Sequence, residues 1–546
     1  MTTEQFKTKT TALIDGLKQT CASYGLGNDG NEFKIITQVF LYKFLNDKFA
    51  YRLKQIEPSL AKADNWEEAY FLYTDEEAEL LRMQLPAGTA RLDDGQLIGY
   101  LYSQQNEKNF AKLFDDTLID IAIDNAEVFS VQTQGGARIE LFDRISEYIA
   151  DSGRRNDFCR AIINQLVEFS FEPIFAEGFD FFANIFEYLI SDYNKDSGGK
   201  YAEYYTPHVV AKIMAEILVQ DERNNISIYD PSAGSGTLLM NLAHRIGEER
   251  CTVYSQDISQ KSSGLLRLNL ILNDLVASIP NVIQGNTILN PYHKDRNDQL
   301  RTYDYVVSNP PFKLDFSDFV ADLDKPENHE RFFAGLPNVP KKAKDKMAIY
   351  PLFIMHIMHV LKPGGKAAIV IPTGFLTAQS GADKKIRQKL IEEKMLMGVV
   401  SMPSNIFATT GTNVSILFLH KGNSNERVLL MDASGLGRKV KEGKNQKTVM
   451  SNEERDHIVD VFNAGEVVDD FTVAPTWEEI AKKNYSFSAG QYFEVKIEYE
   501  EMTEAEFREK VGTMYSNLES LFAQGDLIQK KINSNADLLR FNEYVK

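Results

Sequence analysis

Two hydrophobic periods divide this chain, and they change over near residue 200. In EFKIITQVFLYKFLNDKFAYRL (32–53), Phe33, Ile36, Val39/Phe40, Lys43/Phe44 and Asp47 recur every three or four residues. That spacing predicts helix with a wide apolar face. Similar patterns over 138–150 and 158–192 predict a mostly helical N-terminal domain, residues 1–180. Beyond 200, short apolar runs alternate with helical segments: ISIYD (226–230), TVYSQD (252–257), NVIQG (281–285), YDYVVSN (303–309), KAAIVIP (366–372), MGVVSMP (397–403) and NVSILFLHK (413–421). Alternation of this kind predicts a parallel-rich α/β sheet whose sites lie beyond the carboxyl ends of its strands. The expected α/β domain covers residues 181–425, with KPGGK (362–366) as the turn between the apolar helix YPLFIMHIMHVL (350–361) and the next strand. A mixed extension (426–495) follows, then a helical tail (496–546). In the tail Phe507, Val511, Met514, Leu518 and Leu521 are spaced 4-3-4-3, and Ile528 and Ile532 resume the register after Gly525. That is a heptad seam, the kind that packs on a partner helix or on its own domain.

Composition narrows the class. With 546 residues, 43% hydrophobic and 25% charged, the chain reads as a globular protein of two or three domains. No secretory leader is visible, and the longest apolar run (350–361) is too short for a bilayer and carries two histidines. Cys21, Cys159 and Cys251 are scattered, so neither a disulfide framework nor a metal site is expected. These features point to a cytoplasmic protein without membrane attachment. The net charge of −18 argues against a chain that coats nucleic acid unaided. Two basic runs, PKKAKDK (340–346) and RKVKEGKNQK (438–447), are solvated loops or contacts to a DNA backbone.

IYDPSAGSGTLLM (228–240) reads as strand, glycine-rich turn and helix, with Asp230 at the strand end. Gly234 and Gly236 allow backbone to approach a ligand closely. The phosphate-loop ending GK[ST] and the dinucleotide pattern GxGxxG are both absent. Asp257 ends the second strand, where a carboxylate commonly accepts from ribose hydroxyls; it is equally placed to cap the helix that follows. Asn286, after the third strand, falls near the adenine edge in such a site. Tyr204, Tyr205, Thr206 and Pro207 precede a helix and are either adenosine contacts or core.

The run SNPPF (308–312) ends the fourth strand. An exocyclic amine is a poor methyl acceptor because its lone pair is conjugated with the ring. Two acceptors aimed at its hydrogens favour a pyramidal nitrogen, and Asn309 offers its side-chain carbonyl while Pro310 offers its backbone carbonyl. Pro310 and Pro311 hold that corner rigid, and Phe312 can stack on a base that has left the duplex.

YYTP, DPSAGSG and SNPPF, in that order, resemble the amino-methylating DNA methyltransferases whose cofactor motif comes first. More narrowly, GGKYAEYYTPHVVAKIM, YDPSAGSGTLL, VVSNPPF, LKPGGKAAIVIP, GTNVSILFLHK and NYSFSAGQYF resemble the modification subunit of type I restriction–modification systems. The resemblance implies a Rossmann-like methyltransferase domain, S-adenosylmethionine as donor, and the N6 amine of adenine in double-stranded DNA as acceptor. By position it implies that Glu203, Tyr204, Tyr205, Thr206, Pro207 and His208 line the cofactor. Asp230, Ala233, Gly234, Ser235, Gly236 and Thr237 would complete that lining, with Asp257 on the ribose. Asn309, Pro310, Pro311 and Phe312 would handle the adenine. Asn286 stands where many such enzymes carry Asp, and Asp257 where Glu is usual. The implied partners are a specificity subunit, with two copies of this chain on each, and a restriction/translocase subunit. The competing readings are a methyltransferase acting on an RNA base or a protein glutamine, and a catalytically idle DNA-binding scaffold.

Overall fold

The structure, a computed structural model, describes residues 3–27, 30–175, 206–407, 412–442, 445–493 and 502–538. Residues 1–493 make one compact unit and 494–546 a second. The first unit opens with long helices α1 (Thr3–Ser23), α2 (Gly30–Ile56), α3 (Phe110–Asp124) and α4 (Arg155–Val167). In α2 the predicted positions Phe33, Ile36, Val39, Phe40 and Phe44 are all buried. Lys43 and Asp47 are buried beside them and pair at 2.9 Å, one helical turn apart. An ion pair thus stands inside a stripe that hydrophobicity alone would leave broken.

Residues 138–150 correct the helical expectation. Arg138–Ile139 is a strand and Ile145–Tyr148 a 3-10 turn, its Ser146 N–H and hydroxyl both held by buried Asp115. Strands β1 (Val131–Thr133) and β2 (Arg138–Ile139) pair antiparallel and extend the main sheet. The predicted pattern over 158–192 gives α4 as far as Val167 and lies partly outside the described residues.

The remaining elements follow in order: α5 (His208–Leu218), β3 (Ile226–Asp230), α6 (Thr237–Ile246), β4 (Cys251–Asp257), α7 (Gln260–Leu272), β5 (Val282–Gln284), β6 (Tyr303–Ser308), α8 (Tyr350–Val360), β7 (Leu361–Pro372), α9 (Gly381–Glu392), β8 (Leu396–Ser401), β9 (Val414–His420), β10 (Leu429–Asp432), the hairpin β11 (Arg438–Glu442) and β12 (Asn445–Val449), α10 (Asn452–Ala464) and β13 (Thr472–Val473). Eleven strands form one sheet in the order β13-β10-β8-β9-β7-β6-β3-β4-β5-β1-β2. Strands β5, β4, β3, β6 and β7 are parallel to their neighbours, whereas β9 runs antiparallel between β7 and β8. The order reverses between β3 and β6, and such a switch point opens a crevice at the carboxyl edge.

Both faces of the sheet are covered, which is why β3 is buried at every position and its sequence barely alternates. Along β7, Ala367, Ile369 and Ile371 pack into one apolar layer and Ala368 and Val370 into the other. Helix α8 lies in the first of these layers, as its unbroken apolar sequence predicts. KPGG is not a free turn before β7 but an irregularity within it. Tyr303 pairs with Leu361 while Tyr305 pairs with Lys366, so the extra residues bulge. A Cβ on Gly365 would sit 3.0 Å from the carbonyl oxygens of Lys362 and Tyr303, which explains the glycine.

The second unit contains α11 (Glu504–Leu538). Phe507, Met514, Leu518 and Leu521 are exposed along it, Val511 is half-buried, and the helix passes through Gly525 without a break. Among the described residues no helix is long and apolar enough to cross a membrane.

Candidate active site

The crevice is built at the carboxyl ends of β3, β4 and β6, with Thr206 brought in from the segment before α5. Strand β3 ends on Asp230, whose Oδ1 accepts from Ser232 N–H at 2.9 Å and from the Ser232 hydroxyl at 3.4 Å. Ser232 Oγ in turn lies 2.7 Å from Ser308 Oγ, which fastens the end of β3 to the end of β6. Burial pushes the Asp230 carboxyl up to about 8; the Ser232 N–H opposes that rise and the nearby Asp257 carboxylate adds to it.

The turn into α6 holds Gly234 at φ 53° and Gly236 at φ 83°, left-handed conformations that glycine adopts without a Cβ clash. The two glycines do different work. Gly234 N–H donates to Asp257 Oδ2 at 2.9 Å, so the turn is tied to the end of β4. A Cβ on Gly236 would meet Leu266 Cδ1 at 2.2 Å, so its missing side chain makes room for α7. The sequence assigned both to ligand approach.

Asp257 Oδ1 accepts from Ser259 N–H at 2.9 Å, and burial holds its carboxyl above the usual range despite the two main-chain donors. The cap of α7 is Ser259, whose hydroxyl accepts from Ser262 N–H, and Asp257 instead holds Ser259 and the glycine-rich turn in place. Asn286 uses its Oδ1 to accept from Ile288 N–H at 3.1 Å and Leu289 N–H at 3.0 Å, so its side chain caps a local turn. Thr287 Oγ1 donates to Pro231 O at 2.7 Å and joins that turn to the glycine-rich one. His208 stands at the first turn of α5 with its Nδ1 at 3.2 Å from Asn241 Nδ2 on α6, a helix-to-helix contact.

Asn309 follows β6. Its Nδ2 donates to the buried Thr206 hydroxyl at 3.1 Å, across 103 residues of sequence, which turns the amide so that Oδ1 is the acceptor left over. Pro310 is buried and Pro311 exposed. The half-buried Phe312 ring packs against both apolar layers and stands edge-on to Tyr350, with centroids 6.3 Å apart.

These parts form an open cleft lined by Thr206, Asp230, Ser232, Ala233, Gly234, Ser235, Thr237, Leu238 and Asn309. Seven of these were expected from sequence; Ser232 and Leu238 were not. The signal for Ser232 was present, because a hydroxyl inside DPSAGSG two residues past a strand end is placed for such a turn. Pro207, His208, Gly236, Asp257, Asn286, Pro310, Pro311 and Phe312 border the cleft's elements without lining it. Glu203, Tyr204 and Tyr205 lie outside the described residues. No lining residue carries a cationic side chain, and the lining supplies hydroxyls, main-chain groups and a carboxylate. That donor set suits a ligand that presents hydroxyls and other polar groups to hydroxyl, amide and main-chain partners. S-adenosylmethionine, a sulfonium nucleoside with an amino-acid tail, fits that description.

Comparison with known proteins agrees. A family model described as N-6 DNA Methylase matches residues 177–501. The chain is 28% identical over 527 residues to the type I restriction enzyme MjaIX methylase subunit of Methanocaldococcus jannaschii, covering 93% of this chain and 88% of that one. It is 27% identical over 359 residues to the type I restriction enzyme MpnII methylase subunit of Mycoplasma pneumoniae, covering 64% and 63% respectively. The crystal structure of a type I restriction-modification system methyltransferase subunit from Streptococcus thermophilus superposes with a TM-score of 0.70 at 22% identity, covering 90% of this chain and all of that one. The expected methyltransferase fold is therefore the observed one.

Proposed function

This chain belongs to the N-6 DNA methylase family and is an S-adenosylmethionine-dependent adenine methyltransferase, and on that premise we propose its place: the modification subunit of a type I restriction–modification assembly. A separate specificity subunit chooses the DNA site, with two copies of this chain on each, and a restriction/translocase subunit completes the assembly in the cytoplasm. The single observation that carries the chemistry is the Asn309–Thr206 bond, which sets the amide carbonyl as an acceptor at the edge of the cleft.

S-adenosylmethionine, when bound, supplies an electrophilic methyl group. The residues of the chain do the rest. Thr206, Asp230, Ala233, Ser235 and Thr237, with the Gly234 backbone, hold the cofactor, and Asp257 accepts from its ribose. Glu203, Tyr204, Tyr205, Pro207, His208 and Gly236 support that lining, and Asn286 shapes the adenine end. Asn309 Oδ1 and the Pro310 carbonyl accept hydrogen bonds from the two N–H groups of the target amine and favour the pyramidal nitrogen, which loses one proton to solvent after taking the methyl group. Pro310 and Pro311 keep the acceptors from turning away, and Phe312 stacks on the extruded adenine. Residues 1–180 and 426–495 flank this methyltransferase domain (181–425), and the tail (496–546) docks on the specificity subunit.

The test is methyl transfer by the chain alone and by the chain with its specificity subunit. The pair should place N6-methyladenine at one defined sequence, whereas the isolated chain should not. Complete methylation of a specific site by the isolated chain would put sequence reading within these 546 residues and overturn the assignment.

A further inference from the structure

Directly after the Asn309–Phe312 corner the chain forms a short ladder with residues 347–349. Leu314 N–H donates to Met347 O at 3.0 Å, Ile349 N–H donates to Phe312 O at 3.2 Å, and Lys313 bridges Ala348 in antiparallel fashion. The ladder fixes the preceding loop, residues 340–346, against the corner. That loop has a defined shape. Ala343 is left-handed at φ 56°, and Lys346 N–H and Met347 N–H close a 3-10 turn on Ala343 O and Lys344 O, both at 3.0 Å.

Lys341, Lys342, Lys344 and Lys346 are all exposed on this loop, as is Lys313 on the ladder. None of the four loop lysines makes a salt bridge among the described residues. The acids close by are Asp345 within the loop and Asp315, whose carboxylate accepts from Ser317 N–H at 2.9 Å and feels Lys344. Like charges gathered on an ordered loop repel, and in a chain of net charge −18 they are a local exception that an external anion would neutralise.

We infer that the Lys341–Lys346 loop grips DNA phosphates flanking the adenine presented to Asn309. The inference rests on the proposed DNA methylation and adds the element that holds the backbone. A base turned out of the duplex leaves its own phosphates at the mouth of the site, and extrusion costs a few kcal/mol of stacking and pairing. Lysines there act as point charges that tolerate a distorted backbone, as phosphate neutralisation requires no fixed fork geometry. The hairpin β11/β12, also basic, is placed differently. Thr448 Oγ1 and N–H bond to Ser404 O at 2.6 Å and Asn405 O at 3.0 Å, which seats it past the end of β8. Three strand spacings separate β8 from β6, about 14 Å at the usual interval.

The test uses the purified full chain and a short duplex carrying a mismatched adenine, with affinity measured across a salt series. For Lys344→Gln with Lys346→Gln, the slope of log affinity against log salt should fall by about 1.8, near 0.9 per lost phosphate contact. S-adenosylmethionine affinity should not change, and Lys439→Gln with Lys441→Gln should lose less slope. An unchanged slope in the loop variant, an equal loss in the hairpin variant, or a wild-type chain that fails to bind the duplex at low salt overturns the grip. Methyl transfer by the chain with its specificity subunit, into a duplex carrying the recognised site, reports on the underlying activity separately. Transfer without a slope change refutes the grip alone, and a slope change without transfer refutes the activity alone.

Discussion

At the Asn309 corner every neighbour comes from the chain itself: Thr206 sets the amide, Ser232 meets Ser308, and Phe312 rests between two apolar layers. On α11 the apolar positions are as regular in sequence, yet Phe507, Met514 and Leu521 stand about 60% exposed. The corner is a finished site, assembled by packing within one unit. On the proposed reading the helix is one half of a contact. On that reading, a chain that buries its site residues and exposes its apolar stripe is built to be directed by something else.

That contrast can be broken from either side. The largest expected effect is at the corner: Asn309→Ala removes one amine acceptor, and loss of a comparable transition-state hydrogen bond costs roughly 2.7–4 kcal/mol. Methyl transfer should fall about a hundredfold or more while calorimetry finds cofactor affinity nearly intact. Wild-type turnover would remove Asn309 from the chemistry. Next comes the helix. Val511→Asp with Leu518→Asp places unpaired charges in the seam, which a partner helix could bury only at high cost. Co-purification with the specificity subunit should be lost, whereas S-adenosylmethionine binding and the melting of residues 1–493 should not move.

The third test sharpens the account of the crevice. Asp230 is protonated in the folded chain up to about pH 8 but ionises near pH 4 when unfolded. The folded state therefore binds the extra proton between those values, and this group's contribution to stability declines as pH rises from about 4 to about 8. Asp230→Asn should flatten the melting temperature over that window, and a profile parallel to the wild type would refute the assignment. The smallest effect belongs to Thr206→Val, which deletes one neutral hydrogen bond to Asn309, about 0.5–1.5 kcal/mol. Methyl transfer should drop several-fold, far less than for Asn309→Ala. An equal loss would mean that Thr206 acts on the substrate directly.

The strands around the crevice were legible because each is a buried run bounded by turn residues. ISIYD and YDYVVS were placed almost to the residue. Strands β1 and β2 were not, because runs of three and two residues carry no period, and β1 joins the main sheet through its pairing with β5 across about 150 residues. The same distinction applies within the site. Sequence marked Asp257 and Asn286 by their positions after strands, but not the main-chain donors that occupy their oxygens. That Gly236 also makes room for Leu266 could not be known from the motif. Local pattern reports which residues stand at strand ends; which atoms they meet depends on elements far along the chain.

The seam on α11 also sets a length. From Phe507 to Ile532 is twenty-five residues, roughly 37 Å at 1.5 Å of rise per residue. A loop or a single helical turn on the partner would cover only a fraction of that stripe. A matching surface must itself run for about seven turns, and Gly525, which occupies a seam position, leaves a gap along it that one bulky side chain from the partner can fill. If the tail docks as proposed, the helix measures its partner as well as binding it: an element shorter than this would leave apolar residues in water at one end, and one out of register would miss the gap.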